Sequence, residues 1–179
     1  MKGESAIIIP VPEVEPIVGP FRAQHDSAAR LGVPAHITLL YPFRSPPAAL
    51  KEIDVLTSFF AVFQAFDFSL IEVRRFPATA YLHPDKPERF TQMISALLNE
   101  WPDCKPYKGA FAEAVPHLTV ADKVDSQTLD FVERNLRDEL PVKCFSKEAW
   151  LLVSDENGYW SKRASFPFAK SGPSGLAEK

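Results

Sequence analysis

Apolar residues along this chain follow two alternating periods, and the alternation itself repeats. Ser5 to Val11 (SAIIIPV) is a continuous apolar run of the kind a buried strand presents. Val14, Ile17, Val18, Phe21, Ala28 and Leu31 then fall roughly on one helical face closed by Gly32, with Pro16 and Pro20 weakening its first half. His36 to Phe43 (HITLLYPF) reads as a strand. Ser45 and Pro46 form an N-cap and first-turn pair for a helix carrying Leu50, Ile53, Leu56, Phe60 and Phe63 on one stripe. Phe66 to Phe76 returns as a long strand.

The second half repeats the order. Thr79 to His83 reads as a strand, and Asp85 with Glu88 as a capping box ahead of a helix. That helix carries Phe90, Met93, Ile94, Leu97, Leu98 and Trp101 on one face. A loop with Lys105, Lys108 and Gly109 leads to a strand from His117 to Ala121. Leu129, Val132, Leu136 and Leu140 mark a helix ended by Pro141. Lys143 to Val153 and Tyr159 to Phe168 read as two strands joined across Asn157-Gly158, a hairpin signal. Strand, helix, strand, helix, strand therefore occurs twice, and each middle strand opens with a histidine. The expected fold is α+β and bilobal: two pseudo-symmetric lobes of mainly antiparallel sheet, helices outside, a cleft between the sheets. Residues 1–168 are expected to form one domain with an approximate repeat at 5–76 and 79–168, and residues 169–179 a flexible tail.

Composition narrows the function. The chain has 179 residues, 46% of them hydrophobic and 14 of them Phe, enough apolar mass for a sizeable core. A net charge of −3 argues against wrapping a long nucleic acid, but not against a nucleotide or a short RNA. Cys104 and Cys144 match no metal or redox spacing, which points to free thiols in a reducing compartment. The apolar run from Ala6 to Val11 is too short for a signal peptide or a membrane span. The expectation is a cytoplasmic protein, monomeric, with no membrane association and no obligate protein partner.

Two of the four histidines sit in nearly the same phrase: Pro34-Ala35-His36-Ile37-Thr38-Leu39 and Val115-Pro116-His117-Leu118-Thr119-Val120. On a strand, side chains alternate, so each His and Thr share one face while the residues between and after them face the core. The two polar groups then sit about 6.6 Å apart along the strand, a separation that a tetrahedral phosphate bridges. Imidazole is the side chain able to serve as base in one copy and acid in another near neutrality, and threonine hydroxyls suit non-bridging phosphate oxygens. A single H-x-T on a strand is ordinarily a satisfied histidine beside a β-forming threonine. The matched pair, at equivalent places in the two halves, changes that reading.

These paired motifs, 81 residues apart in a chain of this size, resemble the 2H phosphoesterase superfamily. The phrase PAHITLLYPF is similar to its 2′-5′ RNA ligase-like branch, which includes cyclic nucleotide phosphodiesterases. The resemblance spans Ser5 to Phe168, although only the two motifs are specific. It implies a bilobal fold, metal-independent phosphodiester chemistry without a cofactor, His36 and His117 as catalytic pair, and Thr38 and Thr119 as phosphate ligands. The implied substrate is a nucleotide-type phosphodiester: a 2′,3′-cyclic phosphate, a 2′-5′ linkage or an RNA end. The rival is a non-catalytic module that binds a cyclic or 2′-phosphorylated nucleotide.

Other residues invite weaker assignments. His25 reads as a surface histidine, and His83 shares a strand face with Tyr81 and so could reach the cleft. Of the neighbours Arg74 and Arg75, and of Lys162 and Arg163, only one of each pair can face a ligand. Tyr41, Phe43, Tyr159 and Trp160 are candidates for stacking on a base. No zincin helix, Walker loop or dinucleotide fingerprint is present.

Overall fold

The computed structural model describes residues 3–106 and 115–170. Lys108, Gly109 and most of the expected tail, residues 171–179, lie outside the described residues. Eight strands form two four-stranded antiparallel sheets. They are β1 (Ser5–Pro10), β2 (His36–Leu40), β3 (Phe66–Phe76), β4 (Thr79–Pro84), β5 (Leu118–Asp122), β6 (Val142–Ser146), β7 (Glu148–Ser154) and β8 (Trp160–Pro167). One sheet has the order β2-β1-β7-β8 and the other β5-β4-β3-β6. In both, the motif strand is an edge strand and its neighbour is the strand that precedes it in the chain. The expected α+β fold with two antiparallel sheets is what the chain adopts.

Sequence halves and sheets do not share boundaries. Strand β3, within the first expected repeat, joins the second sheet, while the closing hairpin β7–β8 completes the first. The expected single strand from Lys143 to Val153 is two strands broken at Lys147. Cys144 and Ser146 are buried before the break, in the second sheet, and Ala149, Leu151, Leu152, Val153 and Ser154 after it, in the first. Gly158 makes the hairpin turn at φ 87°, a left-handed conformation that favours glycine.

Helices knit the halves together. Helix α1 (Glu15–His25), which links β1 to β2, packs against β5 of the opposite sheet. Helix α5 (Pro87–Glu100), which links β4 to β5, packs in turn against β2. One contiguous core results, running from Ile7, Ile37 and Phe60 through Phe90 and Leu97 to Leu82 and Val120.

Several local expectations need correcting. The first expected helix forms with Pro16 in its first turn, where the missing donor would have had no intrahelical partner, and with Pro20 inside it. It stops at Asp26, whose carboxylate caps the short α2 (Ser27–Arg30) through Ala28 N–H at 2.9 Å. The expected helix after Ser45 is two, α3 (Pro46–Lys51) and α4 (Ile53–Phe60), and Ser45 makes no side-chain cap bond. The Asp85–Glu88 capping box is absent: Asp85 accepts instead from Ser69 N–H at 2.8 Å, tying the helix entrance to β3. Helix α6 (Ser126–Leu136) is capped by Asp125, which accepts from Thr128 N–H, and passes into a 3-10 turn before Pro141. Cys104 and Cys144 are both free and buried. Among the described residues no helix is long and apolar enough to cross a membrane.

Candidate active site

The edge strands β2 and β5 meet where the two sheets face one another. Between them lies a cleft of about 560 Å³. His36, Thr38, His117 and Thr119 all line it, so the two motifs that the sequence set apart share one cavity. His117 stands immediately before the first residue of β5, and His36 is the first of β2.

Each imidazole is held by the same device. His36 Nδ1 lies 2.7 Å from Pro34 O, and His117 Nδ1 lies 2.6 Å from Val115 O, both carbonyls two residues upstream. A carbonyl only accepts, so each Nδ1 carries the proton and donates it. In the neutral ring Nε2 is then an unprotonated acceptor, fixed in tautomer by a backbone bond. His36 Nε2 is 3.1 Å from Thr38 Oγ1. The expected gap of about 6.6 Å is therefore closed in the first motif. Anchoring at Nδ1 swings the ring along the strand until the threonine hydroxyl reaches it. No described residue bonds Nε2 of His117.

The two rings have different surroundings. His117 is wedged edge-on against Phe76 and Tyr81, with both centroid distances 5.3 Å. Burial is the first cause lowering its pKa, against the raising effects of the Val115 bond and the Asp122 charge. His36 is pushed down to about 4, chiefly by burial, with the Arg22 and His117 charges adding to the fall and the Pro34 bond opposing it. Both shifts favour the neutral ring in the free protein.

Arg22 escaped the sequence reading. It is a fully buried arginine on α1, 1% exposed, and its guanidinium donates to Asp26 at 3.0 and 3.1 Å and to Val33 O at 3.1 Å. Nearby Glu15 accepts from Ala35 N–H at 2.7 Å. The two together pin the segment that delivers His36. An arginine in a short proline-rich helix gives no sign of burial in sequence, because what buries it is the return of residues 33–35. Asp26, Thr79, Asp122 and Lys123 also line the cleft, and Thr79 donates to Asp122 at 2.8 Å. Lys123 is the lone Lys or Arg side chain among the described lining residues.

The weaker candidates separate clearly. Tyr41 lines the cleft and donates its hydroxyl to Glu4, whereas Phe43 is core, packed on Trp101 at 5.4 Å. Tyr159 is exposed, and Trp160 lines a bay beside His36. Arg75 turns outward to Asp130 and Glu133 on α6, while Arg74 pairs with Glu72. Lys162 covers the Trp150 ring at 4.2 Å, and Arg163 is exposed. Neither His25 nor His83 lines the cleft. Among the described residues no group of three His, Cys, Asp or Glu side chains is arranged to hold a metal.

Two antiparallel sheets facing across a cleft with a paired H-x-T set define a phosphoesterase-type architecture, and the comparisons agree. The fold is similar to that of E. coli LigT in apo form: TM-score 0.63 at 16% identity, over 94% of this chain and 99% of that one. It is similar as well to a structure described as a phosphoesterase: TM-score 0.62 at 17% identity, over 94% and 99%. The protein TT0787 of Thermus thermophilus matches with TM-score 0.61 at 16% identity, over 94% and 100%. No curated protein matches by sequence. The family model of the 2′-5′ RNA ligase superfamily matches residues 10–158. The chain belongs to that superfamily, the 2H phosphoesterases.

Proposed function

We propose that this chain is a metal-independent phosphodiesterase that cleaves a nucleotide-type phosphodiester by paired-histidine acid–base catalysis. The observation that carries the reading is the shared anchoring. Two imidazoles, each fixed at Nδ1 by a carbonyl two residues upstream, line one cleft with a threonine two residues downstream of each. In the reaction, Nε2 of one ring takes the proton of the attacking oxygen, from water or a ribose hydroxyl. Nε2–H of the other ring gives its proton to the leaving oxygen. The Thr38 and Thr119 hydroxyls donate to the non-bridging oxygens as charge gathers on them. Run backwards from attack by a ribose hydroxyl, the same groups join a 2′,3′-cyclic phosphate end to a hydroxyl, so cleavage and ligation need no separate machinery. E. coli LigT, with the same fold, has been crystallised with 3′-AMP, which supports a nucleotide ligand.

The test is turnover of a 2′,3′-cyclic nucleotide in excess EDTA, followed by chromatography of the nucleoside monophosphate product. Wild type is expected to turn over, and His36→Ala and His117→Ala to be severely impaired. Tight binding without any product, with and without added divalent ions, would establish the non-catalytic binding module instead.

A further inference from the structure

The two lobes match at the H-x-T motifs and differ beside them. In the second sheet the residue across from Thr119 is Tyr81, which stacks on Phe76 at 4.4 Å, and both rings press against His117. Tyr81 is buried, so this side of the cleft is filled. In the first sheet the residue across from Thr38 is Ile8, so an aliphatic side chain stands where the second sheet has a ring. A bay of about 240 Å³ opens there instead, its mouth at His36, Thr38 and Tyr41.

The bay is largely apolar. Ala6 and Ile8 of β1, Leu152 of β7, and Ser27, Ala28 and Leu31 of the α2 region line it. Trp160 closes one side, edge-to-face with Tyr41 at 6.0 Å. Small side chains at Ala6 and Ala28 are what keep it hollow. No Asp, Glu, Lys or Arg is among its described lining residues. A second phosphate would enter without a cation to receive it, and losing its hydration there is costly. At about 30 Å³ per water the space equals roughly eight waters, the scale of one planar heterocycle and not of a whole nucleotide.

We propose that this bay is the nucleobase subsite, with Trp160 and Tyr41 as its aromatic walls, holding the base of the nucleotide whose phosphodiester lies between the histidines. The assignment rests on the proposed phosphodiester chemistry, since the occupant must be tethered to a phosphate at the mouth. Stacking would supply the affinity, and with Ser27 the one side-chain hydroxyl beyond the mouth, discrimination among bases would be slight. The ligand would carry a single phosphate, in keeping with one lysine against two carboxylates in the adjoining cleft.

The experiment compares adenosine 3′-monophosphate with inorganic phosphate by calorimetric titration of the wild type, Trp160→Ala and Ala28→Leu. Trp160→Ala removes a wall. Ala28→Leu fills the hollow without deleting any ring, and guards against a fold defect in the first variant. Stacking on an aromatic wall corresponds to about 5–150-fold in affinity. The wild type is expected to favour the nucleotide over phosphate by that order, and both variants to lose most of the preference while keeping phosphate affinity. An unchanged nucleotide-to-phosphate ratio in both variants, or no preference in the wild type, overturns the subsite. Histidine-dependent turnover of the cyclic nucleotide is scored separately. Its persistence alongside an unchanged ratio refutes the bay alone, and its loss in the wild type refutes the phosphodiesterase reading.

Discussion

Filling the cleft with a phosphate should raise the pKa of His36. In the free protein its pKa is about 4, with burial the first cause and the Arg22 and His117 charges behind it. At pH 7 that leaves about one ring in a thousand protonated, far too few for a general acid. Restoring the ordinary value of about 6.5 requires roughly 3 kcal/mol in favour of the imidazolium. A unit negative charge about 4 Å away in a medium of effective dielectric 20 supplies about 4 kcal/mol, or some three pKa units. A bound phosphate would therefore restore the imidazolium that an acid role for His36 requires. The pH profile of kcat/KM, which reports the free protein, is expected to peak on the acid side of neutrality. That of kcat, which reports the complex, should peak nearer to neutrality. The direct assay is NMR titration of the histidine ring nitrogens, free and saturated with inorganic phosphate. A His36 pKa at or above 6.5 in the free protein would refute the burial argument. A low value that phosphate leaves unmoved would refute the switch.

Three further outcomes follow from the same geometry. His36→Ala and His117→Ala should each lower turnover of a 2′,3′-cyclic nucleotide by about 10²–10⁴. Because the two act in one step, the double variant should lose far less than the product of those factors, and steady-state kinetics of the set decides it. Acid should destabilise the fold: with His36 near 4 when folded and about 6.5 when unfolded, the unfolded chain binds the extra proton between those values. Stability is then complete above about pH 6.5 and falls by roughly 3 kcal/mol towards pH 4, and urea unfolding of His36→Gln should lack that component of the slope. Arg22→Met should cost about 3–5 kcal/mol by leaving the Asp26 carboxylate buried without its partner, and adding Asp26→Asn should recover part of it; a loss under 1 kcal/mol would show that the pair anchors nothing.

The pattern of the chain made the elements legible wherever one face meets the core and the other meets water. Helix α5 shows this best: Phe90, Met93, Ile94 and Leu97 are buried as their spacing requires. Reading failed where a tertiary partner overrode local preference. Asp85 looks like an N-cap, but β3 offers it Ser69 N–H, and a long-range bond takes the side chain away from its own helix. The break at Lys147 was not legible, because the unbroken apolar run from Ala149 to Val153 carries no period that marks where one sheet hands over to the other. The four motif residues were legible because strand alternation ties sequence spacing directly to a face. Arg22, Asp26 and the Tyr81–Phe76 stack were not, because nothing local relates them to a histidine many residues away.

That difference bears on how a pseudo-symmetric protein reads an asymmetric substrate. The repeated requirement is narrow: an imidazole anchored at Nδ1 and a hydroxyl two residues on, at the edge of a sheet. Both lobes meet it with different chain connectivity, one from β2-β1-β7-β8 and the other from β5-β4-β3-β6. Everything beside the motif is free to diverge, and has. One imidazole is bonded to its threonine and backed by a buried arginine's charge; the other packs edge-on against a stacked pair of aromatic rings. A phosphodiester has two unlike substituents, so a symmetric cleft would bind it equally in two orientations, only one of which presents the scissile bond to the correct acid. A hollow on one side and a filled wall on the other remove that degeneracy. On the proposed reading, the matched motifs carry the chemistry and their mismatched neighbours orient the substrate.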